Sequence, residues 1–363
     1  MGFKCGIIGL PNVGKSTIFN ALTAQQVPAS NYPFCTVDPN HGIVPLEDPR
    51  LDRIQEIFHS KKKVPTHLEF VDIAGLVKGA SKGEGLGNQF LSHIQQVDAL
   101  AHVVRCFEDP DVAHIDAELD PVRDAEIVDL ELVMKDLETV EKQVETLRRR
   151  AKVGDRQVLK ELEVLERVRK NLDEGIPVRK MSLDAGEREI LRPLNLLSAK
   201  PVLYIANVDE AHMSDSEDAE KLRQYAQAHG AGFLQLCGKA QAEIAQLDPE
   251  SQEEFLRELG LDESGLQKLV RAGYQLLDLI TFFTANENEA HAWTVRRGTD
   301  VVKAAGKIHS DFERGFIRAE VMKFTDLDRL GSEHALREQG LVAVHGRDYI
   351  VEDGDVILYR FKV

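Results

Sequence analysis

Gly9-Leu10-Pro11-Asn12-Val13-Gly14-Lys15-Ser16 is the stretch whose reading decides the fold. It fits the pattern G-x-x-x-x-G-K-[ST], and its setting fits as well. The apolar run Cys5-Gly6-Ile7-Ile8 leads in as a strand, and Ile18, Phe19, Ala21 and Leu22 follow at helical spacing. Strand, glycine loop and helix start are the context in which this motif cradles phosphate. The glycines let backbone N–H groups turn inward, and the helix start adds free N–H groups and partial positive charge. Lys15 would reach the β- and γ-phosphates, and Ser16 would hold Mg²⁺. The competing reading is a glycine turn before an ordinary helix.

A second signal comes one strand later. His67–Val71 reads as a strand and ends in Asp72-Ile73-Ala74-Gly75. Alone, D-x-x-G carries little. After a phosphate loop, it places the Asp72 carboxylate toward Mg²⁺ and the Gly75 N–H toward a γ-phosphate. Gly75, Gly79, Gly83, Gly85 and Gly87 then crowd a segment of low intrinsic order, suited to being ordered by γ-phosphate and released after hydrolysis. Without Asp72 beside it, a plain surface loop would suffice.

Strands expected at His41–Val44, Ala99–Cys106, Pro201–Ala206 and Gly232–Cys237 alternate with helices. That pattern gives an α/β domain with a mostly parallel sheet. From about Glu126, Leu130, Val133, Leu137, Val140, Val144 and Leu147 form a heptad seam. Gly154-Asp155 breaks it, and Val158, Leu162, Leu165 and Leu172 form a second seam. The pair reads as an antiparallel helical hairpin, either a structural arm or a docking surface. After helical residues from about Glu253 to Asp278, strands at Ala292–Val295, Phe316–Val321, Asp348–Val351 and Val356–Lys362 suggest a small α+β unit. The expected division is 1–125 with 198–278 for the nucleotide domain, 126–197 for the inserted hairpin, and 279–363 for the C-terminal domain.

The net charge of −16 argues against a general nucleic-acid coat and against DNA as a partner. Cys5, Cys35, Cys106 and Cys237 lack metal-like spacing and read as reduced thiols. Met1-Gly2-Phe3-Lys4 runs straight into the first strand, and no apolar run is long enough to span a membrane. A cytoplasmic protein without a membrane partner is expected.

Together, Gly9–Thr17, Asn31–Asn40, Asp72–Gly87 and Asn207–Glu210 resemble the translation-factor-type P-loop NTPases, specifically the Obg-like ATPases of the YchF subfamily. Thr281–Val363, with Glu352-Asp353-Gly354-Asp355-Val356-Ile357 near its end, resembles a TGS domain, a β-grasp module. The match runs over essentially the whole chain. It implies a slow ATPase switch linked to ribosomes and stress responses. Asn12, Val13, Gly14, Lys15, Ser16, Thr17 and Gly75 would bind the nucleotide. The metal set would be Ser16, Thr36 and Asp72. A nucleotide-gated binding module with incidental hydrolysis is the alternative. A metabolic kinase would need an acceptor site and lid, for which the sequence has no signature.

Base choice turns on Asn207-Val208-Asp209-Glu210. GTPases of this class carry N-K-x-D, whose Asp accepts from guanine N1–H and N2–H₂. Here Val208 replaces the Lys and Glu210 stands at the Asp position, so the bidentate pair is disturbed. Adenine needs no such carboxylate, and its N6 amine can donate to the Asn207 amide oxygen or a nearby carbonyl. ATP is therefore expected over GTP, against a relaxed enzyme that binds either.

Many relatives place a Gln after the second motif to orient water, whereas here Leu76 cannot hydrogen-bond. His114, in the loop beyond the strand Ala99–Cys106, is the candidate that resemblance supplies; the plain reading is a surface histidine. Asn12 stands where related potassium-stimulated enzymes hold K⁺ beside the phosphates; the plain reading is an Asn suited to a turn. In the C-terminal unit, Arg296, Arg297, Lys303, Lys307, Arg314, Arg318 and Lys323 outnumber Asp300, Asp311, Glu313 and Glu320. That face would meet ribosomal RNA phosphates, or else be an ordinary solvated surface.

Overall fold

The structure is a computed structural model that describes residues 3–24, 40–73, 86–109, 119–152, 154–258 and 263–362. β1 (Lys4–Ile8) is buried from Cys5 onward. The glycine loop delivers α1 (Lys15–Ala24), whose Ile18, Phe19, Ala21 and Leu22 face the core as their spacing requires. β2 (His41–Leu46), α2 (Pro49–Phe58), β3 (Lys62–Val64) and β4 (Thr66–Asp72) follow. Asp48 caps α2 and Pro49 presets its first turn. Next come α3 (Leu86–Gln95) and β5 (Ala99–Arg105), buried at every position.

The hairpin is α4 (Pro121–Ala151) and α5 (Arg156–Asp173). α6 (Ala185–Leu191), β6 (Val202–Asn207), α7 (Glu217–Ala228), β7 (Gly232–Leu236), α8 (Gly238–Ile244), α9 (Pro249–Glu258) and α10 (Gly265–Leu276) return the chain to the first sheet. The last unit holds β8 (Leu279–Ala285), β9 (Glu289–Arg296), α11 (Val301–Ile308), α12 (Ser310–Arg314), β10 (Phe316–Lys323), α13 (Phe324–Leu330), α14 (Glu333–Glu338), β11 (Ala343–His345) and β12 (Asp355–Phe361). Residues 348–351, expected as a strand, supply only a single bridge from Ile350 to Asp300.

Among the described residues the first sheet runs β2-β4-β1-β5-β6-β7. All neighbours are parallel except β2, which is antiparallel to β4. The C-terminal ends of β1, β4 and β6 thus lie on one edge, where open α/β sheets bind ligands.

α4 serves two cores. Its Ala125, Val128 and Leu132 pack into the first sheet's core, and its Val133, Val140, Val144 and Leu147 pack against α5. An expected boundary at residue 126 therefore falls inside one continuous helix. Leu130, read as part of the seam, is instead 52% exposed. The helix changes partners here, so the heptad register begins only at Val133.

The second sheet runs β11-β10-β12-β8-β9-β3, so its edge strand comes from the N-terminal half of the chain. β3 pairs in parallel with β9, Lys62 opposite Glu289 and Val64 opposite His291. Leu51 and Ile54 of α2 complete one face of this sheet with Phe283, Ala292, Met322 and Val356. Arg50 spans the seam, bonded to Asp48 and Asp353 at 2.7 Å each. The C-terminal unit is thus built in part from the segment between the glycine loop and Asp72.

The excess of cations expected on this unit is largely neutralised in place. Arg297 pairs with Asp278 at 3.1 Å, Lys303 with Asp300 at 3.0 Å, and Lys323 with Asp355 at 2.6 Å. Arg314 pairs with Asp311. Arg296 reaches Asp98, and both Arg296 and Lys307 lie over the Phe3 ring, at the seam with the first sheet.

Candidate nucleotide-binding site

The glycine loop is shaped by its backbone. Gly14 has φ of 87°, in the left-handed region, and a Cβ there would collide with the Asn207 side chain. A Cβ on Gly9 would sit 2.6 Å from the Val103 carbonyl of β5. Asn12 takes φ of 64°, which Asn tolerates better than most residues. α1 is joined directly to the loop, since Ile18 N–H donates to the Gly14 carbonyl at 3.1 Å. The N–H groups of its first turn, which have no partner within the helix, therefore adjoin the loop.

Lys15 is 9% exposed and its ammonium donates to the Asp72 carboxylate. β1 and β4 are adjacent and parallel, with Ile7 opposite Asp72, which brings the two charges together. Ser16 and Thr17 are exposed at the start of α1. A hydroxyl and a carboxylate are hard oxygen donors of the kind Mg²⁺ takes, with phosphates and water completing its shell. The described residues hold no cluster of three or more His, Cys, Asp or Glu that could bind a metal on its own. Ser16 and Asp72 therefore fit a metal brought with phosphates. Thr36, Gly75, Leu76 and His114 lie outside the described residues.

At the other end, Asn207 terminates β6 and is 5% exposed. Its Nδ2 donates to the Val13 carbonyl at 2.9 Å, and its Oδ1 accepts from Gly238 N–H at 2.8 Å. The residue expected to face the base is thus also a clamp between the glycine loop and the β7–α8 turn. Val208 is 2% exposed, while Glu210 extends outward to Lys239 at 3.4 Å. Gly238 and Lys239 had no role in the sequence reading. Only the packing of β7 beside β6 brings them to Asn207 and Glu210.

Arg105 closes β5 and is 4% exposed. It donates to the Phe107 carbonyl at 3.0 Å and the Asp109 carbonyl at 3.3 Å, fixing the first residues after β5. Beneath the sheet, Asp129 of α4 accepts from Tyr204 of β6 at 2.6 Å and pairs with Arg179 at 2.6 Å. Burial would raise the Asp129 carboxyl, but the guanidinium and the Tyr204 hydroxyl outweigh it and hold it below the usual range. β6 therefore links the root of the hairpin at Tyr204 to the glycine loop at Asn207.

A family model described as a 50S ribosome-binding GTPase matches residues 4–149, and the YchF-GTPase_C model, described as a protein of unknown function, matches residues 279–362. Proteins named Ribosome-binding ATPase YchF from Haemophilus ducreyi and Escherichia coli O157:H7 are 48% identical over 363 residues, covering both chains fully. The Bacillus subtilis protein of that name is 48% identical over 366 residues, again across both chains. The solved structure of the Schizosaccharomyces pombe YchF GTPase superposes with a TM-score of 0.89 at 37% identity, over 99% of this chain and 98% of that one. A GTP-binding protein from Pyrococcus horikoshii, at 18% identity and TM-score 0.60, shares the fold. Among the described residues, no helix is long and apolar enough to cross a membrane.

Proposed function

The chain belongs to the YchF family, and on that premise we propose that it is a P-loop switch that binds and slowly hydrolyses ATP and associates with ribosomes in the cytoplasm. The observation that carries the reading is the convergence of loop amides, Lys15 and Asp72 at the C-terminal ends of two neighbouring parallel strands. Phosphoryl transfer asks a protein for positioning and for charge opposite the developing negative charge. Lys15 and the loop N–H groups supply both toward the β- and γ-phosphates. Bound Mg²⁺, held by Ser16, Asp72 and Thr36, would supply Lewis-acid charge. Gly75 would touch the γ-phosphate through its N–H, and Asn12 would help hold K⁺ beside the phosphates. His114 would orient the attacking water in place of a Gln that Leu76 does not provide.

Adenine is favoured because the guanine-reading pair is altered. Val208 brings no ammonium, and the Glu210 carboxylate is engaged by Lys239. A second reading, a hydrolase of relaxed base choice, draws on the same Glu210, an acid at the sequence position of the guanine-reading Asp. The test of the main reading is Mg²⁺-dependent phosphate release from ATP by the wild-type chain and by Lys15→Ala. Turnover should fall about a hundredfold or more in the variant, by analogy with the loss of a single charge-stabilising donor. Equal turnover would overturn the assignment of this loop.

A further inference from the structure

The loop joining α4 to α5 concentrates positive charge on an otherwise acidic chain. Residues 148–160 contain Arg148, Arg149, Arg150, Lys152, Arg156 and Lys160 against the single carboxylate of Asp155, while the whole chain carries −16. All six cations are exposed. Arg148 pairs with Glu166 across the hairpin at 2.9 Å, and Arg149 turns back to the Glu145 carbonyl. Arg150, Lys152, Arg156 and Lys160 make no ion pair among the described residues. The Asp155 carboxylate is committed to capping α5 through Gln157 N–H at 2.8 Å.

Helix electrostatics explains only half of this pattern. Arg148, Arg149 and Arg150 end α4, where cations complement the helix dipole. Arg156 opens α5, and its first turn holds no acidic residue. A cation there opposes the dipole, and the acid expected at this end is present only as the N-cap Asp155. Arg156 is therefore placed against the interest of the helix that bears it, as Arg148, Arg149 and Arg150 are not. A 31-residue helix is roughly 45 Å long, which holds the tip well away from the nucleotide site.

We propose that the hairpin tip is a docking surface for the phosphate backbone of RNA. The proposal rests on the ribosome-binding reading and names the surface that makes the contact. Four of the six cations are arginines, whose planar fork matches phosphate oxygens. Insertion into a lipid surface would need an apolar face, whereas Leu159, at 46% exposure, is the large exposed apolar residue at the tip among those described. The C-terminal unit is a weaker candidate, because most of its cations are paired in place.

The experiment compares the full chain with the variant Arg150→Gln, Lys152→Gln, Arg156→Gln, Lys160→Gln, and with the control Lys303→Gln, Arg314→Gln. Anisotropy of a fluorescein-labelled 20-base-pair RNA duplex is followed from about 50 to 200 mM salt, alongside co-sedimentation with ribosomes. The tip variant should bind the duplex about tenfold or more weakly at low salt, with its log–log salt slope reduced by about three units. The control should match wild type, and ATP affinity should be unchanged in both. A tip variant equal to wild type on the duplex overturns the proposal. So does wild-type binding to ribosomes but not to the duplex, with the tip variant losing ribosomes, since that pattern means an acidic protein partner. Wild type that binds the duplex through the tip but never sediments with ribosomes upholds the RNA surface and removes the ribosome reading instead.

Discussion

Asn207 donates its side-chain amide to the Val13 carbonyl at 2.9 Å, tying the end of β6 to the glycine loop across 194 residues of sequence. The same side chain accepts from Gly238 N–H at 2.8 Å. It therefore shapes the phosphate cradle as well as the base pocket. Losing two buried hydrogen bonds costs about 1–3 kcal/mol per group left unsatisfied. With the cost of one such group, the Val13 carbonyl of the glycine loop, falling on ligand binding, Asn207→Ala should weaken ATP roughly 5- to 150-fold, and should also weaken inorganic tripolyphosphate, which has no base. Calorimetric titration of both ligands decides the matter. Unchanged tripolyphosphate affinity would confine Asn207 to the base.

Hydrolysis makes a separate claim on His114 and Asn12. His114→Ala should lower kcat about a hundredfold under saturating ATP with little change in KM, as for loss of a general base. Turnover equal to wild type would remove His114 from the mechanism. The same assay in potassium and in sodium buffers tests Asn12, and equal rates would count against a monovalent cation beside the phosphates.

Residues 49–64 should behave as part of the C-terminal unit. Ile54 is fully buried against Phe283, Ala292 and Met322, so Ile54→Ala should cost about 2–5 kcal/mol. Its effect should appear as faster hydrogen exchange in β8 and β9. Exchange faster only in β1, β4 and β5 would show that α2 belongs energetically to the first sheet.

The His102 imidazole should confer acid sensitivity. Burial against Tyr204 pushes it down from 6.5 to about 4, helped by Arg179 and opposed by Asp129. The unfolded chain takes up this proton near 6.5 and the folded chain only near 4, so stability is lost as pH falls between them. The lever is on the order of 3 kcal/mol at 1.36 kcal/mol per unit. Asp136 acts in the opposite sense. Burial raises it to about 6 despite donation from Leu197 and Ser198, so its contribution grows as pH falls. The difference between wild type and His102→Leu isolates the imidazole. In urea unfolding at pH 7 and pH 4.5, wild type should lose about 2–3 kcal/mol relative to the variant. A difference independent of pH would refute the shift.

The glycine loop and Asp72 were legible because their signals are local: residue type, spacing and the flanking strand and helix. β5 and β6 were legible from buried apolar runs, and β2, β4 and β7 from short stretches that mix apolar and polar residues. The placement of β3 was not, because three residues carry no pattern and their partner β9 lies more than 220 residues on. Leu130 misled because a heptad cannot reveal that a helix moves from one core to another. The Asn207 clamp escaped notice because its partners are a backbone carbonyl and a backbone amide, which no side-chain pattern announces. The neutralisation of Arg297, Arg296 and Lys323 was invisible for a related reason: their partners Asp278, Asp98 and Asp355 are not their sequence neighbours.

The central claim is that this site takes ATP in preference to GTP. Competition titration of a fluorescent ATP analogue by Mg·ATP and Mg·GTP tests it most directly, with the double variant Val208→Lys, Glu210→Asp in parallel. ATP should displace the probe from wild type at several-fold lower concentration, about 1 kcal/mol or more in its favour, and the double variant should shift toward GTP. Tighter binding of GTP by the wild-type chain would contradict the account.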